Sequence, residues 1–97
     1  MSEDIRESRD MGFDHRDFFR VLPRALADYS HDIVDRQITV GVGDGTVTIT
    51  VGPEQVRKIA LLEIPWCQVD FHAVGVTESQ YADFTTHFHR TFQRGGG

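Results

Sequence analysis

The sequence has little cysteine, little proline and no long apolar run. Its single cysteine, Cys67, excludes an internal disulfide and any metal site built from several cysteines. Each apolar stretch extends over only a few residues, so no transmembrane helix is expected. Residues 1–6 lack the basic start and the apolar run of a signal peptide. We therefore expect a soluble protein in the cytoplasm.

Positive charge is also scarce. The chain has 10 lysine and arginine residues against 15 aspartate and glutamate residues, which gives a net charge of −5. Nucleic-acid binding rests largely on the neutralisation of phosphates, so nucleic acid is not expected as the main partner. A length of 97 residues leaves room for one domain with a modest core.

Charged residues dominate the amino-terminal segment. Residues 2–10 contain one apolar side chain, Ile5, and cannot bury enough surface to offset the entropy of ordering. The sequence therefore predicts a disordered charged tail over residues 1–12, a single domain over residues 13–94 and a flexible glycine tail over residues 95–97.

Helical periodicity begins near Asp14, a residue that can cap the amino terminus of a helix. The apolar positions that follow run from Phe18 to Tyr29 at helical spacing. Pro23 interrupts this pattern, because its ring clashes with the carbonyl one turn earlier. The helix is therefore expected either to kink there or to end and restart with Pro23 in its first turn.

A second amphipathic helix is predicted over residues 78–94. Thr77 and Gln80 form a capping box at its start, and phenylalanines at helical spacing mark one face. His87 and His89 flank this face, but residues two apart on a helix point in different directions and cannot share an ion. No spacing in the sequence supplies further ligands, so neither a metal nor another cofactor is expected.

The strongest strand signal is a hairpin around Asp44 and Gly45. This pair favours a two-residue type I′ turn, because both central positions need a positive φ. With that turn, Val42 faces Val47 and all the apolar residues of the two strands share one face. These residues are Ile38, Val40, Val42, Val47, Ile49 and Val51.

Two further strands are expected after the hairpin. The run from Arg57 to Ile64 is apolar on both strand faces, and periodicity alone cannot separate a strand from a short helix over residues 53–64. We favour a third strand that Pro65 ends. A fourth strand alternates from Cys67 to Ala73, with Cys67 on the apolar face as a buried structural thiol.

These elements predict an α+β fold. It consists of a four-stranded antiparallel meander sheet with an N-terminal and a C-terminal helix packed on one face. The helices would then cover the sheet face that holds Val40, Ile49, Leu62 and Phe71. On this arrangement the opposite face is left open, and any functional site is expected there.

An apolar patch is predicted on that open face. It comprises Ile59, Leu61 and Val74, with Trp66 near its edge. Small domains rarely leave such a patch uncovered, so a homodimer or a protein partner is expected to contact it. A non-enzymatic protein-interaction or homodimerising module is the leading functional hypothesis.

The alternative hypothesis is a small ligand-binding domain or enzyme. Asp70 and His72 project from the same strand face two residues apart, near Trp66. A carboxylate that orients an imidazole is the arrangement of a general base. No serine or cysteine nucleophile is aligned with this pair, so no catalytic residue is assigned.

The second half of the chain also resembles small bacterial proteins of unknown function. The resemblance rests on Gly52-Pro53-Glu54, Ile59-Ala60, Ile64-Pro65 and the ending from Phe88 to Gly97. It implies a bacterial cytosolic protein and brings no activity with it.

Overall fold

The structure is a computed structural model that describes residues 4–95. It confirms the α+β class, with an antiparallel sheet and two helices, but the sheet has six strands rather than four. The strands β1 to β6 and the helices α1 and α2 follow one another as β1 (Ile5–Met11), α1 (His15–Ala25), β2 (His31–Val34), β3 (Gln37–Val42), β4 (Gly45–Val51), β5 (Gln55–Ile59), β6 (Leu62–Val74) and α2 (Glu78–Gly95).

The main path of the sheet has the order β1-β6-β4-β3-β2, and β5 pairs with β6 off this path. Strand β1 lies in the segment for which the sequence predicted a disordered tail. Its Ile5 pairs with Ala73 and its Met11 with Cys67, so the long strand β6 supplies the backbone hydrogen bonds that order it. The first three residues of the predicted tail lie outside the described residues.

Strand β2 was also absent from the prediction. All four of its residues are exposed, and it joins β3 through the two-residue turn Asp35-Arg36. Asp35 has φ 54°, a left-handed conformation that aspartate tolerates better than most residues. A short, exposed strand at the edge of a sheet carries too little apolar alternation to be recognised from sequence.

The β3–β4 hairpin is present, but its turn is shifted by one residue from the prediction. Val42 pairs with Gly45, so the turn is Gly43-Asp44, and Gly43 has φ 58°. Val40 consequently pairs with Val47 instead of Ile49. The pairing register therefore shifts by two residues, which keeps every apolar side chain on the same face, and all six are buried.

The predicted third strand is in fact two strands joined by a tight turn. Ile59 pairs with Leu62 around the turn Ala60-Leu61, and Ala60 has φ 54°. Pro65 lies inside β6 and does not end a strand. Both faces of this run are apolar, yet the run folds back on itself in solvent. Leu62 is exposed and takes no part in the core.

Helix α1 runs through Pro23 and ends two residues later at Ala25. Asp14 caps its start, since the Asp14 Oδ1 accepts a hydrogen bond from the backbone N–H of Asp17 at 2.8 Å. Pro23 removes one backbone donor from the helix, and the helix ends at Ala25, short of Tyr29, to which the apolar spacing extends.

Helix α2 begins as predicted. The Thr77 N–H donates to Gln80 Oε1 at 3.0 Å, and the Gln80 N–H donates to Thr77 Oγ1 at 3.1 Å, which is a complete capping box. The helix includes Gly95, and the last two glycines of the predicted tail lie outside the described residues. Three phenylalanines on its inner face are buried: Phe84, Phe88 and Phe92.

Aromatic rings connect the helices and the sheet into one core. The Phe88 ring meets Phe71 of β6 edge to face at 5.4 Å between centroids, and Phe92 lies 4.9 Å from Phe18 of α1. Edge-to-face and offset pairs of this kind add stability beyond the area that they bury. The core therefore holds α1, α2 and the centre of the sheet together.

Candidate interaction surface

A β-hairpin arm projects from one end of the sheet. We define the arm as residues 55–66, which form β5, the turn and the first residues of β6. Strand β5 continues the pairing of β4 along β6, since Val51 pairs with Val69 and Gln55 pairs with Trp66. Four steps on one strand lie opposite three on the other, and residues 52–54 between β4 and β5 belong to neither strand. Strands β4 and β5 therefore pair with β6 in succession and form one long, interrupted hairpin.

The arm extends past the neighbouring strands on both sides. Strand β1 ends with Met11 opposite Cys67, and β3 begins with Gln37 opposite Thr50. Within the described residues, the arm thus has no third strand beside it. The molecule is correspondingly elongated, with principal extents of 50 × 24 × 23 Å.

Exposed apolar side chains are concentrated on the arm. Leu61, at its tip, is 100% exposed. Among the described residues, eight large apolar side chains are exposed, and five of them belong to the arm. These five are Val56, Ile59, Leu61, Leu62 and Ile64.

Polar contacts stabilise the arm without covering it. On one face the Lys58 ammonium lies 3.9 Å from the Glu63 carboxylate across the strands. The other face has the Arg57 guanidinium 5.3 Å from the centre of the Trp66 ring, a cation–π contact at the base of the arm. Exposed contacts of these kinds contribute only about 0–1 kcal/mol each, so they order the arm weakly.

The residues of the predicted patch do not form one surface. Ile59 and Leu61 lie on the arm and Trp66 lies at its base, whereas Val74 ends β6 at the opposite end of the strand. Eight steps along an extended strand lead from Trp66 to Val74, which corresponds to about 26 Å. The prediction assumed a compact sheet in which all four side chains share one face, and the projecting arm separates them.

Asp70 and His72 project from the same face of β6, as alternation requires, but their hydrogen bonds run to different partners. Asp70 accepts a hydrogen bond from the Ser8 hydroxyl at 2.5 Å, and His72 Nε2 lies 3.0 Å from the Asp4 carboxylate. Asp70 and His72 therefore each contact a residue in or next to β1, and they do not contact each other. A ligand site around Asp70, His72 and Trp66 stays a prediction.

A shallow groove lies between β1 and α2. Two adjoining cavities of about 390 and 320 Å³ share Arg9, His89 and Gln93 as lining residues. This groove was not predicted, because Arg9 belongs to the segment that was expected to be a disordered tail. The described residues contain no group of three or more histidine, cysteine or acidic side chains arranged to hold a metal ion.

Burial changes the acid–base behaviour of two side chains that the sequence singled out. The Nε2 atoms of His87 and His89 are buried without a hydrogen-bond partner, and burial, together with the positive charge of Arg9, lowers the pKa of His89. Burial, reinforced by Glu54, raises the pKa of the Cys67 thiol. Cys67 is therefore protonated at neutral pH and packs as a small apolar side chain.

His89 is expected to make the fold sensitive to acid. Its pKa in the unfolded chain is near 6.5 and is lower in the folded state, so the unfolded chain binds the proton first as the pH falls. The stability that neutral His89 provides is present above that pH and decreases as the pH falls from 6.5 towards the folded pKa. Urea unfolding of His89→Gln should show a smaller loss of stability than wild type between about pH 7.5 and 5.5.

The control for this measurement is His31→Gln, which changes an exposed histidine and leaves His89 in place. It should keep the wild-type decline through this pH range. If His89→Gln and wild type lose the same free energy of unfolding, the acid sensitivity has another source.

Comparisons with protein-family models, with characterised proteins and with solved structures found no match to this chain. The resemblance of its second half to small bacterial proteins therefore stays a prediction. Among the described residues, no helix is long and apolar enough to cross a membrane.

Proposed function

We propose that the chain is a non-enzymatic protein-interaction or homodimerising module whose contact surface is the arm. The observation that supports this proposal is the exposure of five large apolar side chains on one projecting hairpin. Full burial of one such side chain contributes about 1.5–3 kcal/mol. An isolated two-stranded hairpin is marginally stable in water, and a partner would supply the missing burial.

The proposal moves the contact surface from the open face of the main sheet to the arm. We infer that both helices cover the sheet face that holds the buried valines and isoleucines, which leaves the other face to solvent. That other face carries Thr48 and Thr50 beside His72 and Asp70, so it is mostly polar. A polar, hydrogen-bonded face offers a partner less apolar area than the arm does.

The proposed location is the cytoplasm. Cys67 is a free thiol and is buried, which suits a reducing compartment. An intracellular module that exposes an apolar arm needs its partner nearby, because exposed apolar strands otherwise aggregate.

Leu61→Glu is expected to weaken association of the chain. Leu61 stands at the tip of the arm, and the loss of its burial alone costs about 2 kcal/mol, or about 30-fold in the association constant. The charge of glutamate adds a desolvation cost to that loss. Sedimentation velocity over a concentration series should show wild type larger than a monomer and Leu61→Glu shifted to the monomer.

Val74→Glu is the matched control, because Val74 is an exposed apolar residue at the end of β6 remote from the arm. It should sediment as wild type. If Val74→Glu dissociates the assembly and Leu61→Glu does not, the contact lies on the open face of the sheet. If both variants sediment as wild type does, the proposal is wrong.

A further inference from the structure

Two edges of the molecule have unpaired backbone and opposite charge. Within residues 4–95, strand β2 ends the sheet on one side, and β5 pairs with β6 alone. Acidic residues outnumber the one arginine, Arg36, around β2, namely Asp28, Asp32 and Asp35, whereas β5 carries Arg57 and Lys58 in succession. These two edges are complementary in charge, and both consist of exposed residues.

The backbone groups that point outward can be assigned from the two turns. In a hairpin with a two-residue turn, the pair that closes the turn is hydrogen bonded, and bonded and non-bonded pairs alternate from there. Ile59–Leu62 closes the arm. Along β5, the N–H and C=O groups of Val56 and Lys58 therefore point away from β6. Pro65 has no N–H to offer on the other side of the arm, so β5 is the better edge.

The same reasoning applies to β2. Val34–Gln37 closes its turn with β3, so His31 and Ile33 direct their backbone groups outward. Both edges therefore present two residues, two positions apart along the strand, whose backbone donors and acceptors point outward. The outward-pointing residues of β2 and of β5 therefore have the same spacing, as an antiparallel ladder between the two strands requires.

One antiparallel register satisfies charge and apolar packing together. It places Asp32 opposite Arg57, with the hydrogen-bonded pairs Ile33–Val56 and His31–Lys58 on either side. Opposite charges and two apolar β-branched side chains then face each other, which stabilises an antiparallel ladder. A shift by two residues would instead place Ile33 opposite Lys58.

Resting on the function proposed above, we infer that the partner is a second copy of this chain, and that β5 of each copy pairs antiparallel with β2 of the other. The exchange is reciprocal about a two-fold axis, so each chain donates its arm once and receives an arm once. Such an isologous contact closes on itself as a dimer in which both the β2 and the β5 edges are paired.

The sheet extends further along β5 than along β2 and β3, and this shape fits the dimer. Val34, Gln37 and Thr50 lie level across β2, β3 and β4, while β5 continues beyond them in line with β4. The space beside β5 therefore starts past the β2–β3 turn and is about two strand spacings wide, or roughly 10 Å. A copy rotated about an axis perpendicular to the sheet places its own β2 and β3 in this space. Its arm then lies along the outer edge of the first β2.

The test is a disulfide between chains that carry one new thiol each. Asp32 and Arg57 form a non-hydrogen-bonded pair in this register, with Cα atoms about 4.5 Å apart, within the range that a disulfide spans. An isotopically labelled Asp32→Cys chain is mixed with an unlabelled Arg57→Cys chain and oxidised with glutathione disulfide. Non-reducing mass spectrometry should find the bond between positions 32 and 57 as the main product.

A matched control combines Asp32→Cys with Lys58→Cys. Position 58 is one residue away and points to the opposite face of the arm, so this pair should give less than about a tenth of the yield. Arg57→Cys alone should form little disulfide with itself. A high yield from Arg57→Cys alone would show that the arms pair with each other and would overturn this inference.

Charge reversal provides a second readout that needs no thiol. Asp32→Arg alone or Arg57→Asp alone should weaken the dimer about tenfold in sedimentation, since two attractive pairs become repulsive. The double variant should recover the wild-type association. Suppose that Leu61→Glu abolishes association, but the 32–57 disulfide does not form and charge reversal has no effect. This result would overturn the β2–β5 pairing and leave the proposed function standing. A wild-type chain that stays monomeric would overturn this inference and the homodimerising form of the proposed function.

Discussion

Phe88→Ala is expected to lower the free energy of unfolding by about 3–5 kcal/mol. The Phe88 ring is fully buried and lies against Phe71, Phe84 and Phe92, so its removal leaves a cavity between the sheet and α2. A small domain has about 5–10 kcal/mol of stability in total. Urea unfolding followed by circular dichroism should therefore show an early, still cooperative transition.

The control for this variant is Phe19→Ala, because Phe19 is a phenylalanine that is only partly buried beside the same core. It should cost clearly less than Phe88→Ala, since less surface returns to water and no enclosed cavity forms. Equal losses for the two variants would mean that Phe88 is not the centre of the core.

Gly45→Ala should destabilise the protein by about 1–3 kcal/mol. A Cβ atom at Gly45 would overlap the backbone of Gly75 and the Val74 carbonyl oxygen. Backbone atoms cannot rotate out of the way as a side chain can. The start of β4 and the Val74–Gly75 segment would therefore have to move apart. Thermal unfolding monitored by circular dichroism measures the effect.

Gly12→Ala provides the comparison at a glycine with space around it. No atom lies within 4 Å of the position that its Cβ would take. Alanine also reduces the entropy of the unfolded chain, so this variant should be neutral or more stable by up to about 1 kcal/mol. If the two substitutions have the same effect, the close approach of Gly45 to Gly75 does not limit the fold.

The elements that the sequence predicted correctly are those specified by short-range signals. The capping box of Thr77 and Gln80 defines the start of α2, and alternation places the residues of β3 and β4 on the correct face. The turn between those strands was misplaced by one residue. Both candidate pairs contain a glycine that tolerates positive φ, so the local sequence could not distinguish them.

The elements that were missed depend on partners distant in sequence. Strand β1 directs Glu7 towards the helix side, where its carboxylate accepts a hydrogen bond from Tyr81 at 2.7 Å, 74 residues away. This contact gives the acidic side chain a hydrogen-bond donor at a position where alternation predicts an apolar residue. A composition rich in charge therefore indicated disorder for a segment that β6 orders.

The candidate surface was predicted in part. Ile59 and Leu61 were chosen because their strand is apolar on both faces, and both are exposed. The arm itself could not be predicted, because Ala60-Leu61 has none of the residues that normally mark a tight turn. Without a turn signal, the run from Arg57 to Ile64 was interpreted as a single buried strand.

The continuity of β4, β5 and β6 has a consequence for how this chain folds. The long hairpin closes around a two-residue turn, so the tip forms the contact of shortest sequence separation. Pairing can then proceed from the tip towards the core, each pair holding the next within reach. Thr46 and Val74 are 28 residues apart, yet the earlier pairs have already closed most of that loop. The arm thus lowers the entropic barrier to assembling the central strands, whose contacts would otherwise be slow to form.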